Sequence, residues 1–245
     1  MVIGIGIGVF LVLAVSGAVL FMNKKADLEI KIFAPAGTQR VVDDIYVIND
    51  EYVNFYLVKT DSGFISIDTG ASPDKIEIQL KKINLEPSKV EAVFLTHTDA
   101  DHTGGLQLFP NAKVYMSSEE EQMINGKTRR AIFFRNKLPV TNYNLIADNQ
   151  TIEVSGLKMQ GIFTPGHTAG SMSYVVADTY LFTGDTLSIK KGEAGTFPGF
   201  FNMSTKRQRE SITKISRLPN IKYVFTAHHG YTGDFKTLFA NWKSQ

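Results

Sequence analysis

The hydrophobic pattern divides the chain into one unbroken apolar run and a long remainder in which short apolar segments alternate with polar turns. Residues 2–22 are 21 positions without a charge, and as a helix they would span about 30 Å, the thickness of a bilayer core. The pattern predicts a transmembrane anchor over residues 1–25. A cleaved signal peptide is the alternative, because Ser16-Gly17-Ala18 offers small residues for cleavage, but the basic segment that should precede the apolar run is missing. Lys24, Lys25 and Lys31 follow the run, so the positive-inside rule makes this a single-pass protein of the cell membrane with its soluble part facing the cytoplasm.

Residues 26–245 read as one α/β domain of about 220 residues, with no low-complexity linker dividing it. Strands are predicted at 45–47, 53–59 and 64–67, the last ending in Asp68-Thr69-Gly70. Ser72 and Pro73 open a helix that closes before Pro87, with Asp74 in its first turn and a Glu77/Lys81 pair. Residues 90–95 are almost wholly apolar, as in a strand covered on both faces. A strand at 113–116 precedes a capping-box pair, Ser118 and Glu121, which opens a charged helix with Gly126 inside or ending it. Strands follow at 151–154, 158–164, 173–177 and 180–183. A helix capped by Ser204 or Thr205 runs to 218, a short strand covers 223–226, and a terminal helix carries Trp242.

Composition narrows the chemistry. Hydrophobic residues make up 43% of the 245, enough for a sizeable core, and 26 Lys and Arg against 24 Asp and Glu leave +2, with no basic block to track a phosphate backbone. Nucleic acid is therefore not an expected partner. The absence of cysteine excludes disulfides, thiolate nucleophiles and iron–sulfur clusters. Any metal must be held by nitrogen and oxygen.

The five histidines fall in three short stretches, each at the end of an apolar segment. Thr96-His97-Thr98-Asp99-Ala100-Asp101-His102-Thr103-Gly104-Gly105 places two imidazoles and two carboxylates within six positions. These are ligand types for zinc, iron and manganese, and so much charge beside an apolar strand is costly without a cation. Thr164-Pro165-Gly166-His167 puts a histidine on a tight turn, Thr183-Gly184-Asp185-Thr186 ends a strand in a carboxylate, and Ala227-His228-His229-Gly230 ends the last. Each alone reads as a structural residue or a cap; four together point to a convergent site.

These motifs, in this order, resemble the metallo-β-lactamase superfamily over residues 41–235, nearly the whole soluble part. The resemblance implies an αβ/βα four-layer sandwich, with two mixed sheets face to face, helices outside and a site for two divalent metal ions at one edge. Zinc is the expected ion, iron or manganese the alternatives. By the same resemblance His97, Asp99 and His167 would hold the first ion, Asp101, His102 and His229 the second, and Asp185 would bridge them. The family has His where this chain has Asp99, an oxygen ligand that hardens the site. Family spacing assigns His229 as ligand and leaves His228 beside it.

A two-metal site implies hydrolysis by a metal-bridging hydroxide, with Asp101 taking or relaying the proton. The substrate would be a small-molecule ester, thioester, lactone or phosphodiester. A non-haem iron redox enzyme and a catalytically inactive metal-stabilised binding module are the alternatives. Residues 195–201, rich in Gly and Phe, either roof the site or pack in the core. Lys127, Arg129 and Arg130 either form a solvated face or steer an anionic substrate.

Overall fold

The structure, a computed structural model, describes residues 20–21, 24–130 and 135–243. Its contacts group into two units, Met1–Phe33 and Ala34–Gln245. In the first, residues 24–30 are helical. The anchor expectation rests on residues 1–19, 22 and 23, which lie outside the described residues; among the described residues no helix is long and apolar enough to cross a membrane.

The second unit is built on two mixed sheets. Strands β1 (Gln39–Val42), β2 (Ile45–Asp50), β3 (Val53–Lys59) and β4 (Phe64–Ile67) form an antiparallel meander; β5 (Val90–Phe94), β6 (Lys113–Ser117) and β7 (Asn144–Ile146) extend it in parallel. The other sheet holds β8 (Thr151–Val154), β9 (Leu157–Phe163), β10 (Met172–Val176), β11 (Tyr180–Phe182), β14 (Tyr223–Phe225) and β15 (Tyr231–Thr232), with β12 (Ser188–Lys190) and β13 (Glu193–Gly195) as a separate ribbon.

Side-chain alternation shows how the layers stack. Ile45, Val47, Tyr56, Val58, Ile65, Ile67 and Phe94 of the first sheet share one core with Met159, Met172, Tyr174, Val176, Phe182 and Phe225 of the second. Their neighbours Ile48, Phe55, Leu57 and Val93 face the opposite way and meet Ile76 and Leu80 of helix α1 (Pro73–Lys82). On the far side Ile162, Val175, Leu181 and Val224 meet Ile212 and Ile215 of helix α4 (Thr205–Ile215). The order is helix, sheet, sheet, helix. Each large apolar side chain buried this way contributes about 1.5–3 kcal/mol, so truncating Leu80 to Ala costs about 2–5 kcal/mol.

Short elements complete the chain: α2 (Ala100–Thr103), α3 (Glu121–Ile124) and α5 (Phe235–Phe239). The local signals behaved unevenly. Ser204 caps α4 by accepting from Arg207 N at 3.3 Å. Ser72 stands at the N-cap of α1 without a side-chain cap bond; Asp50 Oδ2 accepts from Ala71 N and Ser72 N at 2.7 Å instead. The Ser118/Glu121 capping box does not form, because the α3 N-cap is Glu120 and Glu121 accepts from the Tyr143 hydroxyl at 3.0 Å. Trp242 lies beyond α5, donating from Nε1 to Thr213 Oγ1 on α4.

Candidate metal centre

Four strand ends deliver the chemistry to one edge of the sandwich. β5 is buried almost throughout and leads into Thr96 and His97. This loop is gripped from the second sheet: Tyr174 donates its hydroxyl proton to Leu95 O at 2.9 Å, and Met172 N donates to Thr96 O at 2.8 Å. Asp99 then stands at the N-cap position of α2, without a side-chain cap bond, and α2 carries Asp101 and His102.

Two glycines allow the close approach. Gly166 has φ +144°, and a Cβ there would lie 2.3 Å from Gln208 N. Gly184 has φ +50°, and a Cβ there would lie 2.4 Å from Thr96 Oγ1. Their following residues, His167 and Asp185, are thereby presented to the His97 loop. Gln208 Nε2 donates to Asp185 O at 2.9 Å, fixing that turn from α4.

The side chains converge in two groups, His97 with His167 and Asp185, and Asp101 with His102 and His228, the potential ligand atoms of each lying within 4.8 Å of one another. Asp185 faces both. Its Oδ2 lies 3.2 Å from His167 Nε2 and 3.9 Å from His97 Nε2, and its Oδ1 lies 3.5 Å from His102 Nε2 and 3.3 Å from His228 Nε2. His228 Nε2 is also 3.5 Å from Asp101 Oδ2.

Burial sharpens the electrostatics. Burial pushes the Asp185 carboxyl up, but His228, His102 and His167 outweigh it and hold the group well below the usual carboxylate range. His102 is raised well above its ordinary value: burial opposes the charge, and Asp185, Asp68 and Asp101 favour it more strongly. His167 is pushed down to about 4 by burial and by the Arg130 guanidinium.

A divalent ion fits this arrangement. His97 Nε2, His102 Nε2 and Asp185 Oδ1 are buried and make no hydrogen bond among the described residues, yet all point into the convergence. Buried polar atoms are almost always partnered, and imidazole nitrogens beside carboxylate oxygens are the donor set of a nitrogen/oxygen metal site.

Two sequence expectations change. His228, and not His229, reaches the second group. Its Nδ1 bonds Tyr52 O at 2.7 Å and its ring stacks on Tyr52 at 6.0 Å, which aims Nε2 at Asp185. His229 is the next residue in a turn closed by Thr226 N on Gly230 O, and it belongs to neither group. Asp99 lies beside the first group, 3.4 Å from His97 Nε2 and 3.2 Å from His167 Nε2, but Arg130 and Asn136 engage its two oxygens.

Several participants were not assigned from sequence. Asp68, at the end of β4, pairs with His102 Nδ1 at 2.8 Å and accepts from Thr96 N and Oγ1 at 2.7 Å. Its position at a strand end in Asp-Thr-Gly was the available signal. Glu120 is buried and accepts from Thr98 N and Oγ1 at 2.8 Å, Thr168 Oγ1 at 2.7 Å and Gly170 N at 3.1 Å, joining the His97 and His167 loops. Tyr52 carries a hydroxyl pushed up to about 12 by burial and by Asp101, so it stays a proton donor. Phe197 is buried with its ring 5.0 Å from His167 and 5.3 Å from His228, while Phe200 and Phe201 stack edge to face at 5.1 Å and are half-buried. The 195–201 segment thus both packs and covers.

Comparison with known proteins agrees with this geometry. A family model described as the metallo-beta-lactamase superfamily matches residues 48–228. Hydroxyacylglutathione hydrolase of Salmonella typhi is 31% identical over 192 residues, 76% of this chain and 65% of that protein, so the chain spans just under two thirds of such relatives. Among solved structures, a Cronobacter sakazakii metallo-beta-lactamase with a HARLDQ motif superposes with TM-score 0.62 at 22% identity, over 82% of this chain and 81% of that one. A subclass B3 metallo-beta-lactamase of Bradyrhizobium japonicum gives TM-score 0.62 at 18% identity, over 80% and 79%.

Proposed function

As the chain belongs to the metallo-beta-lactamase superfamily, we propose that it is a metal-dependent hydrolase of a small-molecule ester, thioester, lactone or phosphodiester, with zinc as the metal. One observation carries the reading: the two oxygens of Asp185 face two separate groups of imidazole and carboxylate ligands. Hydroxyacylglutathione hydrolase as a relative favours a thioester within that set.

When bound, a divalent ion here would supply an activated water and polarise the substrate oxygen. The chain's own residues do the rest. His102, His228 and Asp101 would hold an ion on one side of Asp185, and His97 and His167 line the other. Asp101 is half-exposed beside His228, where its Oδ2 can take or relay a proton between water and substrate. Asp68 keeps the His102 ring turned so that Nε2 faces the site. Phe197 walls off His167 and His228 from solvent. Residues 2–22 support a membrane anchor and Lys24, Lys25 and Lys31 a cytoplasmic face; alkaline extraction of membranes and protease protection of the domain test both.

The activity test is hydrolysis by zinc-loaded full-length protein of acylglutathione thioesters, followed by thiol release, alongside p-nitrophenyl esters, lactones and bis-(p-nitrophenyl) phosphate. Turnover abolished by Asp185→Asn is expected. Metal-loaded protein that turns over none of the four classes overturns the hydrolase reading.

A further inference from the structure

Arg130 is the one guanidinium that hydrogen bonds, among the described residues, to a histidine of the convergence. Its Nη2 donates to Asp99 Oδ2 at 2.5 Å and lies 2.9 Å from His167 Nε2, and its Nη1 donates to Phe201 O. Asn136 Nδ2 holds the other Asp99 oxygen at 2.9 Å, so the carboxylate is turned toward the guanidinium from both ends. On the far side of His167, Nδ1 meets Asn202 Oδ1 at 3.2 Å, which leaves Nε2 as the nitrogen facing the site.

We propose that Arg130 is a resident cation of the first site: paired with Asp99, it occupies the His167 side and excludes a first metal ion, so the chain loads a single divalent ion on the Asp101, His102 and His228 side. This rests on the reading of the centre as a metal site. The physical argument is competition for one lone pair. An imidazole nitrogen ligates zinc at about 2.0–2.1 Å along the same direction in which it accepts a hydrogen bond, so His167 Nε2 serves Arg130 or a metal, never both. Charge balance points the same way. Asp99 adds a carboxylate where the resemblance expects a neutral imidazole, and the guanidinium bonded to it through Nη2 compensates its charge. Arg130 also ties the first site to the aromatic cover through Phe201 O, so displacing it for a metal would release that cover as well.

The test is zinc stoichiometry by equilibrium dialysis and elemental analysis of the full chain, wild type against Arg130→Ala, Arg130→Gln and Arg130→Lys, with thermal melting to confirm that each variant folds. One equivalent in wild type and in Arg130→Lys, and a second gained in Arg130→Ala or Arg130→Gln with affinity at least about tenfold above wild type, are the expected results. Two equivalents bound by wild type as tightly as by the variants overturn the inference and leave the hydrolase reading standing. No zinc bound by any of the four proteins overturns both.

Discussion

Asp68 and His102 face each other across 2.8 Å, the carboxylate of one strand end against Nδ1 of the histidine that α2 carries. Both are buried, and Asp68 sits at φ +61°, a left-handed conformation that Asn also tolerates. Asp68→Asn therefore keeps the backbone and removes the charge that orients and polarises the ring. Zinc affinity at the His102 group is expected to fall by about 10–100-fold with the fold retained. Competition against a chromogenic chelator measures it, and an unchanged affinity would show that Asp68 serves only the Thr96 turn.

Glu120 ties two loops together, with Thr98 on one and Thr168 and Gly170 on the other. Gly170 packs against it so closely that a Cβ there would lie 2.1 Å from Glu120 N. Glu120→Ala strands buried donors, each costing about 1–3 kcal/mol, and the expected loss of stability in urea unfolding is about 3 kcal/mol or more. Glu120→Gln, which keeps an acceptor oxygen, should lose less. Equal losses in the two variants would argue that cavity volume, and not hydrogen bonding, governs the site.

The pH dependence follows from opposite shifts. His102 is raised above its ordinary 6.5, so its stabilising contribution is complete below 6.5 and declines as pH rises through the folded value. Asp185 is depressed below its ordinary 3.8, so its contribution is complete above 3.8 and declines as pH falls through the folded value. His167, pushed down to about 4, adds stability as pH rises toward 6.5, so metal-free protein is expected to be most stable near the upper end of the window between these limits and to lose Tm as pH rises further through the folded value of His102. Zinc must displace the His102 proton, so uptake releases protons and weakens as pH falls. Calorimetry with chelator and with zinc reads both effects; a metal-free Tm that climbs through neutrality would contradict the assignment.

The phenylalanines of the 195–201 segment should separate by role. Phe197 is buried against His167 and His228, so Phe197→Ala is expected to cost about 3–5 kcal/mol. Replacing the half-buried Phe200 and Phe201 together should leave Tm nearly unchanged and raise KM for apolar esters or thioesters, with modest loss of kcat. Unchanged kinetics in the double variant would remove the segment from substrate contact.

Much of this protein was legible in one dimension because burial has a short period. The almost wholly apolar β5, the alternating faces of β2 and β3 and the helix pattern of α1 and α4 record which neighbours are covered, and that record is local. Six of the seven sequence-assigned ligands reach the convergence or its edge, since a ligand at a strand end is carried wherever the sheet places that end. The short strands β1, β7, β12, β13 and β15 were not legible. Each holds at most two apolar residues, against three in the equally short β4, β11 and β14, and pairing with a neighbour defines them.

The choice between His228 and His229 belonged to the tertiary structure alone. The two are adjacent in sequence, and it is Tyr52, reached 176 residues away along the chain, that holds the His228 ring. Arg130 is the same case: its charge was visible, but its approach to Asp99 and His167 depends on where a loop returns across the edge of the sandwich. Sequence by itself determined the fold class and the kinds of donor gathered at the site, because both follow from local burial and residue chemistry. Only the tertiary structure decided which imidazole faces inward and which cation stands beside Asp99, because those depend on contacts between segments that the chain keeps far apart.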